Sequence, residues 1–440
     1  MNVQEFVKRR KRLMRMMGAD SVAILPSAQI QIRNRDAEYP FRQDSDFYYL
    51  TGFNEPEAVL VLIPGRRYAQ TIMFCRERDP EMEQWIGPRA GQDGAVNEFL
   101  LDDAFPIADL GDILPGLLED KERIYYTMGK SADFDHQLLE WLNTIKERVR
   151  TGVHAPAELI ALEPLTHDLR LYKSPSEVRT MRRAAKISAR AHIRAMEECQ
   201  PGISEAHLEA EILYEFRVQG AQATAYTPIV GGGENACILH YTENSQPLKD
   251  GDLVLIDAGC ELHNYASDIT RTFPVNGTFT PAQKAIYEIV LKAQLAAIRQ
   301  VKPGNHWNHP HNAAVRTITK GLIEIGIIKS TLSKALREES YKRFFMHRTG
   351  HWLGMDVHDV GEYKVDKHWR LLEPGMVLTV EPGIYIPTGA KGVAKKWWGI
   401  GVRIEDDVLV TKNGNEVLSK DAPKSVDEIE STMAAAWEYV

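Results

Sequence analysis

Residues 254–271 read VLIDAGCELHNYASDITR. An apolar run, Leu253 to Ile256, stops at a carboxylate, Asp257, and eleven residues later Asp268 sits among β-formers. The run is short, continuous and branched, which predicts a strand buried on both faces. A carboxylate at the end of such a strand is costly to desolvate unless something pairs with it. The same arrangement recurs downstream: LKDGDLVLIDAGC (248–260) lines up with LEPGMVLTVEPGI (372–384) and registers Asp257 on Glu381. YASDITR (265–271) and GVRIEDD (401–407) then set Asp268 against Glu405 at matching places in two strands.

The repeat extends upstream. Ser174 is an N-cap, Pro175 fits the first helical position and Glu177 closes a capping box. Thr280-Pro281-Ala282-Gln283 repeats that signature. Each long helix ends before a Pro-Gly pair, Pro201-Gly202 or Pro303-Gly304, and a further helix-like stretch follows each. Residues 174–440 are thus expected to form an α+β domain with a pseudo-twofold repeat of helix–helix–strand–strand units, each copy contributing two inward carboxylates.

Four converging carboxylates are not easily answered by one arginine, whereas two divalent cations balance them. Nitrogen comes from HRTGHWLGMDVHD (347–359), which offers His347, His351 and His358 just before the second strand pair. Oxygen-dominated ligation with a single imidazole favours manganese or magnesium, with cobalt and zinc as substitutes. No H-E-x-x-H is present, so a mononuclear zincin is not expected. HWNHPH clusters His306, His309 and His311 but has no carboxylates nearby in sequence, and reads as an exposed surface loop.

Residues 1–173 alternate strand-like runs (SVAILP, AVLVLIP, TIMFC, RIYYTM) with helix-like segments such as FDHQLLEWLNTIKERVR, predicting an α/β N-terminal domain. The opening MNVQEFVKRRKRLMRMMGAD predicts an amphipathic helix with a solvated basic face; it lacks the apolar core of a secretory signal. YPFRQDSDFYYLTGFNEPE (39–57) reads as an aromatic-rich loop.

At 440 residues two domains are the default. The composition, 44% apolar and 26% charged, is that of a globular protein, and the net charge of −8 argues against a nucleic-acid partner. No apolar run approaches the ~20 residues of a membrane helix. The four cysteines form no C-x-x-C pair, which fits buried thiols in a reducing cytoplasm.

The C-terminal domain resembles the pita-bread metallopeptidases, and the whole chain is similar to bacterial aminopeptidase P, the Xaa-Pro aminopeptidases. The resemblance rests on RDAEYPFRQDSDFYYLTGFNEPEAVLVL (35–62), GENACILHYTEN (233–244) and the histidine segment, which fits H-x-x-[SG]-H-x-x-G-x-x-x-H-D. Arg348-Thr349-Gly350 stands where Gly-Leu-Ser is more usual, with ligand spacing intact. The resemblance implies that Asp257 chelates one metal, that Asp268 and Glu405 bridge two, and that His351 and Glu381 complete the second. It implies a bridging hydroxide as nucleophile and Glu381 as proton shuttle. His240 and His358 then donate hydrogen bonds to the substrate and oxyanion, Arg403 orients the bridging carboxylates, and Tyr385 does similar work. It further implies two divalent ions, Mn2+ above others, peptides with proline at the second position as partners, and a homo-oligomer, tetramer or dimer. Nucleic acid and membrane are not expected partners.

A prolidase has the same metal set but needs an added group for the free carboxylate of an X-Pro dipeptide. A methionine aminopeptidase usually lacks the N-terminal domain. A non-enzymatic binding module of the same shape would be expected to have lost ligands.

Overall fold

The computed structural model describes residues 2–437. The chain divides into two compact units, the first ending at Arg170 and the second beginning at Leu171.

The first unit is built on a six-stranded mixed sheet. Its spatial order is Asp103–Pro106, Thr71–Cys75, Val59–Leu62, Ser21–Pro26, Arg123–Tyr125, Glu158–Ile160. Ser21–Pro26 runs antiparallel to Val59–Leu62 and parallel to Arg123–Tyr125. Val22, Ile24, Val61 and Phe74 pack with Leu114 and Leu142, which come from the helices Leu110–Leu118 and Ala132–Glu147. The opening helix, Val3–Met17, is amphipathic, but two of its basic residues are not solvated. Arg9 and Arg10 are buried, donating to the carbonyls of Tyr49 and Leu50, because guanidinium donors satisfy the C-terminal carbonyls of a neighbouring helix. That neighbour, Ser45–Thr51, also corrects the expected loop at 39–57: Asp44 caps it by accepting from Phe47 N–H at 2.9 Å, and Phe47, Tyr49, Leu50 and Phe53 are core.

The second unit carries both capping boxes. Ser174 and Glu177 open the helix Pro175–Glu198, and Thr280 and Gln283 open Pro281–Ile298. Glu205–Val218 and Asn308–Glu324 follow them after the Pro-Gly breaks. Next in each half come the strands. Leu253–Asp257 is the centre of a three-stranded antiparallel sheet, between Ile229–Gly232 and Thr270–Pro274. Val377–Val380 pairs with Asp406–Thr411, and Gly383–Ile386 with Ile400–Arg403. Asp257 ends its strand opposite Thr270, and Glu381 follows directly on Val380. Asp268 and Glu405 differ from the expected placement within strands. Asp268 lies two residues before Thr270–Pro274, and Glu405 in the short break between Ile400–Arg403 and Asp406–Thr411. Leaving the ladder frees both carboxylates to turn inward.

HWNHPH is not an exposed loop. Trp307 is buried, His309 and His311 lie in the first turns of Asn308–Glu324, and His311 Nδ1 meets Thr349 Oγ1 at 2.8 Å.

Candidate metal centre

Asp257, Asp268, His351, Glu381 and Glu405 all line one cavity of about 470 Å³, together with Tyr226. Two close backbone approaches make this possible. A Cβ on Gly259 would stand 1.7 Å from the Ser267 carbonyl, and one on Gly350 would stand 2.0 Å from that of Thr379. Only glycine lets the Asp257 turn and the His351 segment lie so near their neighbours.

His351 turns one ring nitrogen toward the carboxylates. Its Nδ1 lies 2.9 Å from the Trp352 carbonyl, which only accepts, so Nδ1 holds the proton and the Nε2 lone pair faces the carboxylates. Nε2 lies 3.2 Å from Asp268 Oδ2 and 3.8 Å from Glu381 Oε1. One donor atom each from Asp268, His351 and Glu405 lie within 4.8 Å of one another.

The carboxylates are oriented by hydrogen bonds across the two halves. Arg403 donates to Asp257 Oδ2 at 2.7 Å and to Thr270 Oγ1 at 3.2 Å. Thr270 in turn donates to Glu405 Oε2 at 2.7 Å. Tyr226 donates its hydroxyl to Asp257 Oδ1 at 2.5 Å and also touches Asp268 Oδ1. The Asp268 backbone N–H donates to both oxygens of Asp407, at 3.2 and 3.3 Å.

Without cations the site is electrostatically unbalanced. Burial, then the charge of Asp257, holds Asp268 well above the usual carboxylate range. Burial, then Asp268 and Asp257, does the same to Glu405. Burial and Glu405 push Glu381 up to about 8. Burial also raises Asp257, but Arg403 and the hydrogen bonds from Tyr226 and Arg403 outweigh it and hold this one group below its ordinary value. A site that forces three of its four carboxyls toward the protonated state in the absence of positive charge is one that divalent ions would complete. The donor set, oxygens with one imidazole, fits hard cations.

Around this cluster, Tyr385 is buried and does not touch the carboxylates. Its hydroxyl accepts from Arg403 at 3.0 Å and donates to His347 Nε2 at 2.9 Å, while His347 Nδ1 donates to the Arg348 carbonyl at 2.7 Å. Burial, then Arg403, lowers His347 to about 3, so this imidazole is neutral. By hydrogen bonds Arg403 reaches Glu405 through Thr270. His240 and His358 are exposed on the cavity wall, and the His358 ring stands edge-on to His351 with centroids 4.3 Å apart. Tyr226, Thr270 and Asp407 went unread in the sequence. Of the three, only Asp407 left a signal there, as the third acid of Glu405-Asp406-Asp407. HWNHPH stays outside the cluster.

Residues 179–412 match metallopeptidase family M24, and residues 6–125 match the aminopeptidase P N-terminal domain. The chain is 47% identical over 434 residues to the Xaa-Pro aminopeptidase of Escherichia coli (strain K12), covering 98% of each. Among solved structures it is similar to the aminopeptidase PepP of Pseudomonas aeruginosa (TM-score 0.99, 60% identity, covering 100% of this chain and 99% of that one). It is likewise similar to an Escherichia coli aminopeptidase P variant in complex with substrate, at TM-score 0.97 and 46% identity over 100% and 99% of the two chains. The second unit therefore has the pita-bread fold, its two halves facing one site. The chain belongs to metallopeptidase family M24, in the aminopeptidase P line, and is a hydrolase that works with divalent metal ions.

Proposed function

We propose that the chain is an Xaa-Pro aminopeptidase, releasing the first residue of peptides whose second residue is proline. The observation that carries this is the convergence of four carboxylates and the Nε2 lone pair of His351 on one cavity, in a chain so similar to Xaa-Pro aminopeptidases along its length. Residues 1–173 form the N-terminal domain of this reading, and 174–440 the catalytic one.

Asp257, Asp268, His351, Glu381 and Glu405 hold two divalent ions, with Mn2+ suited to the oxygen-rich set. When bound, the ions lower the pKa of water and polarise the scissile carbonyl. Glu381, on the rim of the carboxylate cluster, takes the proton of the attacking water and passes it to the leaving nitrogen. His240 and His358 donate hydrogen bonds to the substrate and to the developing oxyanion. Arg403 fixes Asp257 directly and Glu405 through Thr270, and Tyr385 holds Arg403 and His347 in register.

Proline at the second position fits this chemistry. An X-Pro bond has no N–H, so a peptidase that must hydrogen-bond it is excluded, while a site acting on the carbonyl is not. No helix among the described residues is long and apolar enough to cross a membrane. A cytoplasmic homo-oligomer, tetramer or dimer, is the setting proposed here.

The test is amino-acid release by manganese-loaded protein from an X-Pro-Y tripeptide and the matching X-Pro dipeptide. Cleavage mainly of the tripeptide is expected. Preference for the dipeptide would make the protein a prolidase, and turnover of neither would favour a binding module.

A further inference from the structure

Arg348 lines the same cavity as the metal-binding carboxylates, yet its own charge is unanswered. It is held by neutral groups only: one guanidinium nitrogen donates to Asn308 Oδ1, and the guanidinium carbon lies 5.2 Å from the centre of the Trp369 ring. Among the described residues no carboxylate forms an ion pair with it, and its Nε and Nη1 have no protein partner. The residue is exposed as well as lining the cavity. Its field reaches His311, whose pKa burial and then Arg348 lower to about 4.

A guanidinium tied through one N–H of Nη2 and lacking a counter-ion keeps a fork, the second N–H of Nη2 beside that of Nε or Nη1, which matches the two oxygens of a carboxylate. Holding it in advance also reduces the entropy lost on binding. The α-amino end of an aminopeptidase substrate is cationic and is repelled by this side chain, which leaves the other half of the peptide. We propose that Arg348 is a specificity-determining residue that binds a carboxylate on the leaving-group side of the substrate. This rests on the aminopeptidase reading above and deepens it toward short or acidic peptides.

The carboxylate has two sources, the C-terminus of a short peptide or an acidic side chain. The metal-loaded enzyme is assayed on X-Pro-Ala with a free C-terminus, on its amide, and on X-Pro-Asp amide. Wild type is expected to favour one or both carboxylate-bearing peptides over the neutral amide by about tenfold in kcat/KM. Preference for the free acid assigns the C-terminus, and preference for the Asp amide assigns the side chain. Arg348→Ala is expected to bring the ratio close to one, and Arg348→Lys to keep part of it. Inhibition by the dipeptide Pro-Leu against its amide reads the same ratio as binding. A merely structural role would slow all three peptides alike and leave the ratio standing. An unchanged ratio in Arg348→Ala, or no preference in wild type, overturns the subsite while leaving the aminopeptidase. Absence of turnover on every peptide overturns that reading and the subsite with it.

Discussion

Arg403 donates to Asp257 across the two halves of the catalytic unit, Nη2 to Oδ2 at 2.7 Å, with both side chains largely buried. The pair holds the Asp257 carboxyl below its ordinary value, while burial and neighbouring charge raise the other three. Arg403→Met leaves that charge without its partner. A loss of about 3 kcal/mol in stability is expected by denaturant titration, together with a fall of about 10–100-fold in kcat/KM. A variant as stable and active as wild type would remove Arg403 from the site.

Tyr226 bonds Asp257 and touches Asp268 with one hydroxyl. Tyr226→Phe keeps the ring and removes that bond. Metal affinity, read by competition with a chelator, is expected to change by about 10–100-fold, with the melting curve of the chelated protein shifted far less. Equal affinities would reduce Tyr226 to packing.

Asp268→Asn removes one charge at nearly constant shape. Turnover is expected to fall by more than about 100-fold, while circular dichroism stays native and metal content by elemental analysis drops. Retained turnover would exclude the bridging role.

Chelation should make stability depend on pH in a direction opposite to ordinary acid unfolding. Asp268, Glu405 and Glu381 have raised folded-state values, so the folded apo-protein holds protons that the unfolded chain releases. Raising the pH therefore favours unfolding. For Glu381 the loss runs from its ordinary 4.5 up to about 8. Asp257 has the opposite sign and acts only at the acid end, as the pH falls through its depressed value. The buried imidazoles of His192, His311 and His347 act with the opposite sign below their ordinary 6.5, so melting temperatures of chelated protein are expected to fall from pH 6.5 up to about 8, and metal-loaded protein to melt higher and with little slope there. Equal melting temperatures with and without chelator would contradict a structural contribution from the ions.

Lys173 and Asp359 form a fully buried pair at 2.8 Å, each side chain 1% exposed, next to His358. Lys173→Met takes the cation away from the buried Asp359 carboxylate beneath the histidine segment. A destabilisation of about 3–5 kcal/mol is expected by thermal or denaturant melts. A loss within 0.5 kcal/mol, about that of an ordinary surface substitution, would mean that the other contacts of Asp359 suffice to hold it.

Much of the centre was legible because its parts are local. Asp257 and Glu381 each end an apolar run, and a charge at that place stands out in one dimension. Both capping boxes are contacts over three residues, and both formed as read. The failures were also physical. Arg9 and Arg10 looked solvated because charge on a helix usually is, but their carbonyl partners lie some 40 residues away, Tyr49 and Leu50. HWNHPH looked like an exposed loop because it lies just beyond Pro303-Gly304 with no carboxylates nearby in sequence, yet Pro310 falls in a first turn, where a missing N–H costs nothing.

The sequence by itself determined the repeat, the strands that end in acids, and the type of donor group each position carries, since these follow from periodicity and side-chain chemistry along the chain. Tertiary structure alone decided which groups meet. Tyr226 reaches Asp257 and Asp268, Thr270 links Arg403 to Glu405, and Arg348 faces the cavity with its charge unanswered. Those contacts depend on strand register and on backbones packed as closely as Gly259 and Gly350 allow. Hydrogen bonds are distance-limited to about 3 Å, and no linear pattern fixes positions 130 residues apart to that tolerance, as for Thr270 and Glu405, separated by 135.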